Sequence, residues 1–133
     1  MMNLKNAMTA AVVGLTLSAT TASANPANVE RVTEGLIAAG MAIELDDNCD
    51  GVSVRLLRGL NFLQGLKSHL QDLGYSNAEI DAYIDNRSEK ARLETIARQR
   101  LNSLGVRTDD PATYCTVARG QIAEGTQVGR LLR

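Results

Sequence analysis

Two cysteines, Cys49 and Cys115, follow an N-terminal segment with the pattern of an export signal, and the chain has no other cysteine. Disulfides persist in the oxidising compartments to which such signals direct a protein. An even number of cysteines in a small exported chain is typical of disulfide pairing. The two lie 66 positions apart, whereas a catalytic dithiol usually has its cysteines close together, as in C-x-x-C. We therefore predict one structural disulfide between Cys49 and Cys115.

The first 24 residues contain the three parts of a secretory signal peptide. Lys5 supplies a positive charge, residues 7–17 form an apolar stretch, and Ala22-Ser23-Ala24 is a small-residue cleavage site. A retained membrane anchor is the alternative, but the apolar stretch is shorter than the ~18 residues that a spanning helix needs. We expect cleavage after Ala24, which leaves residues 25–133 as a single helical domain.

The charge balance argues against nucleic acid and membranes as partners. Without Lys5, 13 Lys and Arg side chains stand against 15 Asp and Glu, so the net charge of residues 25–133 is −2. Such a chain has no global basic field that would attract nucleic acid or anionic lipid. No apolar run after the signal is long enough to span a membrane.

Apolar residues recur at helical spacing along the rest of the sequence. A first helix is predicted from Pro26 to the turn at residues 46–51, and a second from about Ser53 to Leu73. The second helix has one leucine-rich face that we expect to pack on the core. This leucine stripe consists of Leu56, Leu60, Leu63, Leu66, Leu70 and Leu73.

Capping signals divide the second half of the chain. Ser76 and Glu79 form a capping box that begins a third helix, and the polar residues 85–88 separate it from a fourth that ends at Gly105. A last helix is predicted from Asp110 onward. Its expected apolar face consists of Tyr114, Cys115, Ala118, Ile122, Gly125, Gly129 and Leu132.

Two glycines on that face, Gly125 and Gly129, are expected to lie against another helix, because glycine inside a helix otherwise costs stability. No segment alternates with a period of two, so no sheet is predicted. The predicted fold is an all-α compact bundle of about four to five helices stapled by one disulfide.

The turn after the first helix matches the opening half of a calcium loop, with Asp46, Asn48, Asp50 and Gly51 in register. Calcium loops close with a bidentate Glu at position twelve, and that position is Leu57 here. We interpret the segment as an acidic turn between two helices, with weak calcium binding as the alternative. No metal site is predicted.

No set of residues in the sequence indicates catalysis or a cofactor. His69 is the only histidine, and neither a zinc ligand set nor a nucleophile motif accompanies it. We interpret it as a flank residue of its helix. The basic residues after Asp85 suggest an anion site, but Glu89–Arg92 and Glu94–Arg98 have the spacing of helical ion pairs. A salt-bridged solvent face is the favoured interpretation.

Three segments of the sequence resemble a known family: residues 83–93, Pro111 with Tyr114-Cys115, and residues 129–132. That family consists of small exported proteins from alphaproteobacteria of the Rhodobacter group, described as a domain of unknown function. The resemblance covers most of residues 28–133 and implies a location in a Gram-negative periplasm. It implies no activity, cofactor or catalytic residue.

We therefore expect a soluble periplasmic helical protein that is not an enzyme and acts by binding an unknown protein partner. One alternative is a periplasmic acid-stress chaperone-like protein, because such chaperones are also small, helical and held by one disulfide. The other is a small hydrolase or enzyme inhibitor whose site the sequence does not identify.

Overall fold

The computed structural model describes residue 14 and residues 25–133. The predicted signal peptide, residues 1–24, thus lies outside the described residues apart from Gly14, and its cleavage and the single domain stay predictions. The described residues form a short 3-10 turn and six α-helices, with no strand. The helices are α1 (Glu30–Asn48), α2 (Leu56–Asp72), α3 (Asn77–Ile84), α4 (Arg87–Leu104), α5 (Ala112–Glu124) and α6 (Gln127–Arg130). The predicted all-α fold is confirmed.

Side-chain caps fix where several helices begin. The Ser76 hydroxyl accepts a hydrogen bond from the Glu79 N–H at 3.1 Å, as the capping box predicts. The Asn86 side chain accepts from the Glu89 N–H at 3.0 Å, so the polar segment at residues 85–88 starts α4. Gly105 ends α4 in the left-handed conformation, with φ of 115°.

The expected continuous last helix is wrong, because it breaks at Gly125. Gly125 has φ of 64° and ends α5, and Thr126 then caps α6 by accepting from the Gly129 N–H at 3.0 Å. Gly125 and Gly129 therefore share no helix face. Gly129 alone lies in close contact with a neighbouring helix, where a Cβ would overlap the Gln121 carbonyl at the end of α5.

The core is built around α1, which packs against α2, α4, α5 and α6. Ile37, Ala42 and Leu45 of α1 are all at most 2% exposed. Aliphatic side chains from α4, α5 and the C-terminal residues complete the main cluster. A smaller cluster joins α1 to α2 and α3 and consists of Val32, Leu66, Leu70, Ile80 and Tyr83.

The predicted disulfide is present. Cys49 follows α1 and Cys115 lies in the first turn of α5, with their Cα atoms 5.2 Å apart. Cys49 is buried at 2% exposure, whereas Cys115 is half-buried and does not sit fully on the buried face that the sequence predicts. The bond therefore pins the start of α5 to the turn between α1 and α2.

The C-terminal residues hold the start of α2. The backbones of Ser53 and Arg133 exchange two hydrogen bonds of 2.9 Å, and the Arg55 N–H donates to the Leu131 carbonyl at 2.8 Å. Leu131 and Leu132 are buried at 4% and 2% exposure. Among residues 25–133, no helix combines the length and apolar character that crossing a membrane requires.

Candidate functional site

Much of the leucine stripe of α2 faces solvent rather than the core. Leu66 and Leu70 are buried, but Leu56 is 70% exposed and Leu60 is 53% exposed. Adjacent Leu57 is 78% exposed. The expectation that the whole stripe packs inside the molecule is therefore wrong. Leu66 and Leu70, in the C-terminal half of α2, pack in the cluster that joins α1, α2 and α3.

An apolar groove lies beside these leucines, formed by two adjoining cavities of about 300 and 260 Å³. The cavities share Ala39, Ile43 and Leu63, so they form one continuous depression, which we name the α2 groove. The first cavity lies between α1, the start of α2 and Leu131. The second continues past Ile43 to the end of α3 and the wall of α4.

Large aliphatic side chains supply much of the groove surface. Ile43 on its floor is 53% exposed, and Ile84 on the far wall is 60% exposed. A soluble protein rarely leaves so many large aliphatic side chains adjacent to each other and open to water. This surface is therefore the strongest candidate for a binding site in the described part of the chain.

Charged side chains line both cavities of the groove, Asp46 the first and Glu89, Lys90 and Glu94 the second. The helices α1 and α2 beside it run antiparallel: the Val54 N–H donates to the Asp46 carboxylate at one end, and Gly35 contacts Leu66 at the other.

The C-terminal end of α1 is negatively charged. The last turn of α1 contains Asp46 and Asp47 and no basic residue. The carbonyl groups at a helix C-terminus carry a partial negative charge, so the acidic side chains add to it. This end of the groove favours a cationic group.

Ion pairs also join α4 to α1. Arg100 donates two hydrogen bonds, of 2.6 and 2.8 Å, to the Glu34 carboxylate. These bonds hold the pKa of Glu34 below its usual value and raise that of Arg100. Arg98 pairs with Glu44 at 3.4 Å. Both ion pairs support the predicted salt-bridged solvent face. The predicted Glu94–Arg98 pair is wrong, because Arg98 contacts Glu44 instead.

On the groove wall, the expected Glu89–Arg92 pair is confirmed at 2.6 Å. The hydrogen bonds from Arg92 lower the pKa of Glu89. Burial raises the pKa of neighbouring Tyr83, and the negative charge of Glu89 raises it further. Glu94 pairs with Lys90 at 3.8 Å instead of with Arg98.

Residues of the acidic turn make hydrogen bonds that stabilise the fold. Asp46 and Asn48 are the last residues of α1, and the Asn48 side-chain amide donates to the Glu44 carbonyl at 2.8 Å. Across the described part of the chain, no three His, Cys, Asp or Glu side chains gather closely enough to hold a metal ion. Half-buried His69 has its Nδ1 atom 3.5 Å from the Arg31 guanidinium, at the flank of α2.

Sequence reasoning missed the groove because periodicity marks an apolar face without showing what covers it. Adjacent Leu56 and Leu57 point about 100° apart on a helix, but the adjacent residues Ile37 and Ala38 are both buried in the core, so adjacency alone gives no signal of exposure. Ile43 gives no signal either, because it continues the apolar stripe of α1.

Residues 25–133 match the family model described as a family of unknown function, DUF5333. No curated protein and no solved structure matches the chain.

Proposed function

Because the chain belongs to this family of unknown function over residues 25–133, we propose a role that rests on its surface. The protein is exported by residues 1–24 into the periplasm of an alphaproteobacterium of the Rhodobacter group. There it acts without catalysis, by binding another protein. The α2 groove is its binding surface.

The observation that carries this proposal is the exposure of the α2 leucines beside an apolar depression. Leu56 and Leu60 are each more than half exposed, and they line the groove together with Ile43 and Leu63. Burying apolar area contributes roughly 25 cal/mol per Å², so covering these side chains favours association. Apolar anchors surrounded by polar residues are typical of protein-binding surfaces.

A pull-down from periplasmic extract with matched variants tests the binding role. Leu60→Glu places a charge in the groove, and Leu73→Glu makes the same change at the far end of α2. Leu60 and Leu73 are 53% and 54% exposed, so the two substitutions replace leucines of similar exposure. We expect a protein that the wild type and Leu73→Glu retain and Leu60→Glu loses. Identical capture by all three would refute the groove as the binding surface.

Cell fractionation tests the proposed location. We expect the osmotic-shock fraction to contain a chain whose N-terminal residue is Asn25. Full-length chain in the membrane or cytoplasmic fraction would contradict export and cleavage.

A second candidate, an acid-stress chaperone-like role, is favoured by the ion pair on the groove wall. The hydrogen bonds from Arg92 hold the pKa of Glu89 below its usual value, so this carboxylate is protonated only at a lower pH than an ordinary glutamate. Protonation breaks the ion pair with Arg92 and changes the charge of the groove wall in acid. Suppression of client aggregation at about pH 2–4, weakened in Leu60→Glu, would support this role. Unsuppressed aggregation in that range would exclude it.

A further inference from the structure

Two copies of one tetrapeptide meet at the start of α2. The sequence Arg-Leu-Leu-Arg occurs twice in the chain, at residues 55–58 and at residues 130–133. The Arg55 Nε donates to the Leu132 carbonyl at 3.1 Å. The Arg58 guanidinium donates to the Arg130 carbonyl at 3.3 Å. The fold therefore gathers both copies at one edge of the molecule, which we name the RLLR edge.

The arginines of the RLLR edge have no acidic partner within the chain. None of the four makes a salt bridge within residues 25–133. The nearby Asp46 carboxylate is bonded instead to the Val54 N–H. The bonds from Arg55 and Arg58 to carbonyl groups use only some of the five N–H donors that each guanidinium has. The remaining donors are available to an external anion.

The leucines of the two copies differ in burial. Leu131 and Leu132 are buried at 4% and 2% exposure and anchor the second copy in the core. Leu56 and Leu57 of the first copy are 70% and 78% exposed. Leu57 lines neither cavity of the α2 groove. The RLLR edge thus combines arginines with exposed leucines, and one of these leucines lies outside the groove.

We propose that the RLLR edge docks on the surface of an anionic phospholipid bilayer. Its arginines bind lipid phosphate groups, which accept two parallel hydrogen bonds from a guanidinium. Its exposed leucines enter the layer between headgroups and acyl chains. This inference goes beyond the proposed function, because the partner is a membrane surface and not a protein.

The shape of the edge favours a bilayer over an acidic protein. A protein partner must supply a cavity that fits Leu57, whereas a bilayer accepts a projecting aliphatic side chain without a matching shape. Basic residues beside exposed apolar ones are typical of segments that lie on anionic membranes.

The net charge of −2 describes residues 25–133 as a whole and suggests no attraction to lipid. Physiological salt screens charges that are more than about 8 Å apart. The local arrangement of the arginines therefore decides whether this edge binds an anionic surface.

Flotation with lipid vesicles tests the proposal. The protein is expressed from the full-length sequence and purified from the osmotic-shock fraction with its disulfide intact. We expect it to float with vesicles of phosphatidylglycerol and phosphatidylcholine in equal parts, and not with phosphatidylcholine alone. Added salt should weaken the binding. A wild-type protein that floats with neither kind of vesicle, or equally with both, would overturn the proposal.

Two matched pairs of variants locate the binding surface. Arg130→Gln should lower the vesicle partition coefficient about fivefold, the contribution of one basic side chain near an anionic membrane. Arg87→Gln is its control, because both arginines are exposed and neither makes a salt bridge within the described residues. Leu57→Gln should lower the coefficient about tenfold. Its control is Leu73→Gln at the other end of α2, where the leucine is 54% exposed.

Either control variant should bind like the wild type. Equal partitioning of Arg130→Gln and Arg87→Gln, or of Leu57→Gln and Leu73→Gln, would overturn docking through the RLLR edge. All variants share one N-terminus, so differences between them report on this edge and not on residues 1–24. Circular dichroism checks that each variant keeps its helices.

Other occupants of the RLLR edge give different results. Calorimetric binding of inorganic phosphate without flotation would refute the membrane and leave a site for a free anion. A protein captured by the wild type and Arg87→Gln but lost by Arg130→Gln, again without flotation, would replace the bilayer by an acidic protein. The α2 groove is tested separately by Leu60→Glu, so the proposed function and this inference can fail independently.

Discussion

Among the described glycines, Gly129 is the one with the least room for a side chain. A Cβ there would overlap the Gln121 carbonyl and lie 2.7 Å from the Ile122 nitrogen. All of these atoms belong to the backbone at the end of α5, so the neighbour cannot move aside by changing a rotamer. Gly129 therefore permits the tight turn that returns α6 onto α5.

We expect Gly129→Ala to lower the free energy of unfolding by about 1–3 kcal/mol, because the added methyl group overpacks this contact. Gly120→Ala is the matched control. Nothing lies within 4 Å of a Cβ at Gly120, so alanine inside α5 should raise stability by about 0.5–1 kcal/mol. Thermal melts measure both, and an unchanged midpoint for Gly129→Ala would contradict the close contact.

The acidic turn leads to a prediction on calcium at the same scale. The Asp46 carboxylate accepts a hydrogen bond from Val54 at 3.0 Å, and Asn48 is bonded to α1. With Leu57 in place of the closing glutamate, the turn lacks the strongest ligand of a calcium loop. Calorimetric titration should give no calcium affinity tighter than about millimolar. A micromolar affinity would mean that these side chains rearrange around the ion.

At the scale of elements, one bidentate ion pair of two hydrogen bonds between Glu34 and Arg100 joins α1 to α4. Because the pKa of Glu34 is lowered on folding, the pair stabilises the protein above the usual glutamate pKa. This contribution is lost as the pH falls through the lowered value. Both side chains are partly solvated, so we expect a coupling energy of about 0.2–1 kcal/mol at neutral pH.

A double-mutant cycle with Glu34→Gln and Arg100→Gln measures that coupling energy as a function of pH. The coupling should be constant at neutral pH and fall toward zero in acid. A coupling that persists after Glu34 is protonated would mean that packing of the side chains, not the ion pair, joins the two helices.

The sequence predicts which segments are helical better than it predicts which other segments pack over them. Two helices begin at side-chain caps, Ser76 and Asn86, and α4 ends at Gly105 in the left-handed conformation. Such local features are indicated directly by residue type and spacing. Gly125 is different, because a glycine in an apolar stripe fits either a close contact or a helix end. Only the Thr126 cap after it separates the two.

The candidate site could not be predicted from the same pattern. Leu60 and Leu66 belong to one periodic stripe, yet one is exposed and the other is buried. The difference depends on where α3 and the C-terminal residues pack, which requires contacts distant in sequence. Local periodicity contains no information on such contacts.

At the scale of the whole molecule, the disulfide closes a loop that contains α2, α3 and α4, and its cysteines are 66 residues apart. The disulfide excludes extended conformations of that loop from the unfolded chain. The chain-entropy account gives about 4 kcal/mol for a loop of this length. A domain of ordinary stability has only about 5–15 kcal/mol in total, so the bond contributes a large share.

We therefore expect reduction to lower the urea midpoint strongly, with a free energy of unfolding smaller by about 4 kcal/mol. The urea dependence should steepen, because the reduced unfolded chain exposes more surface. A variant with Cys49→Ala and Cys115→Ala is the control for the reductant, which should leave its midpoint unchanged. Cys49 is buried, so the variant also loses some packing, and reduction of the wild type is the cleaner comparison. Equal midpoints for the oxidised and reduced wild type would mean that helix packing alone sets the stability of the fold.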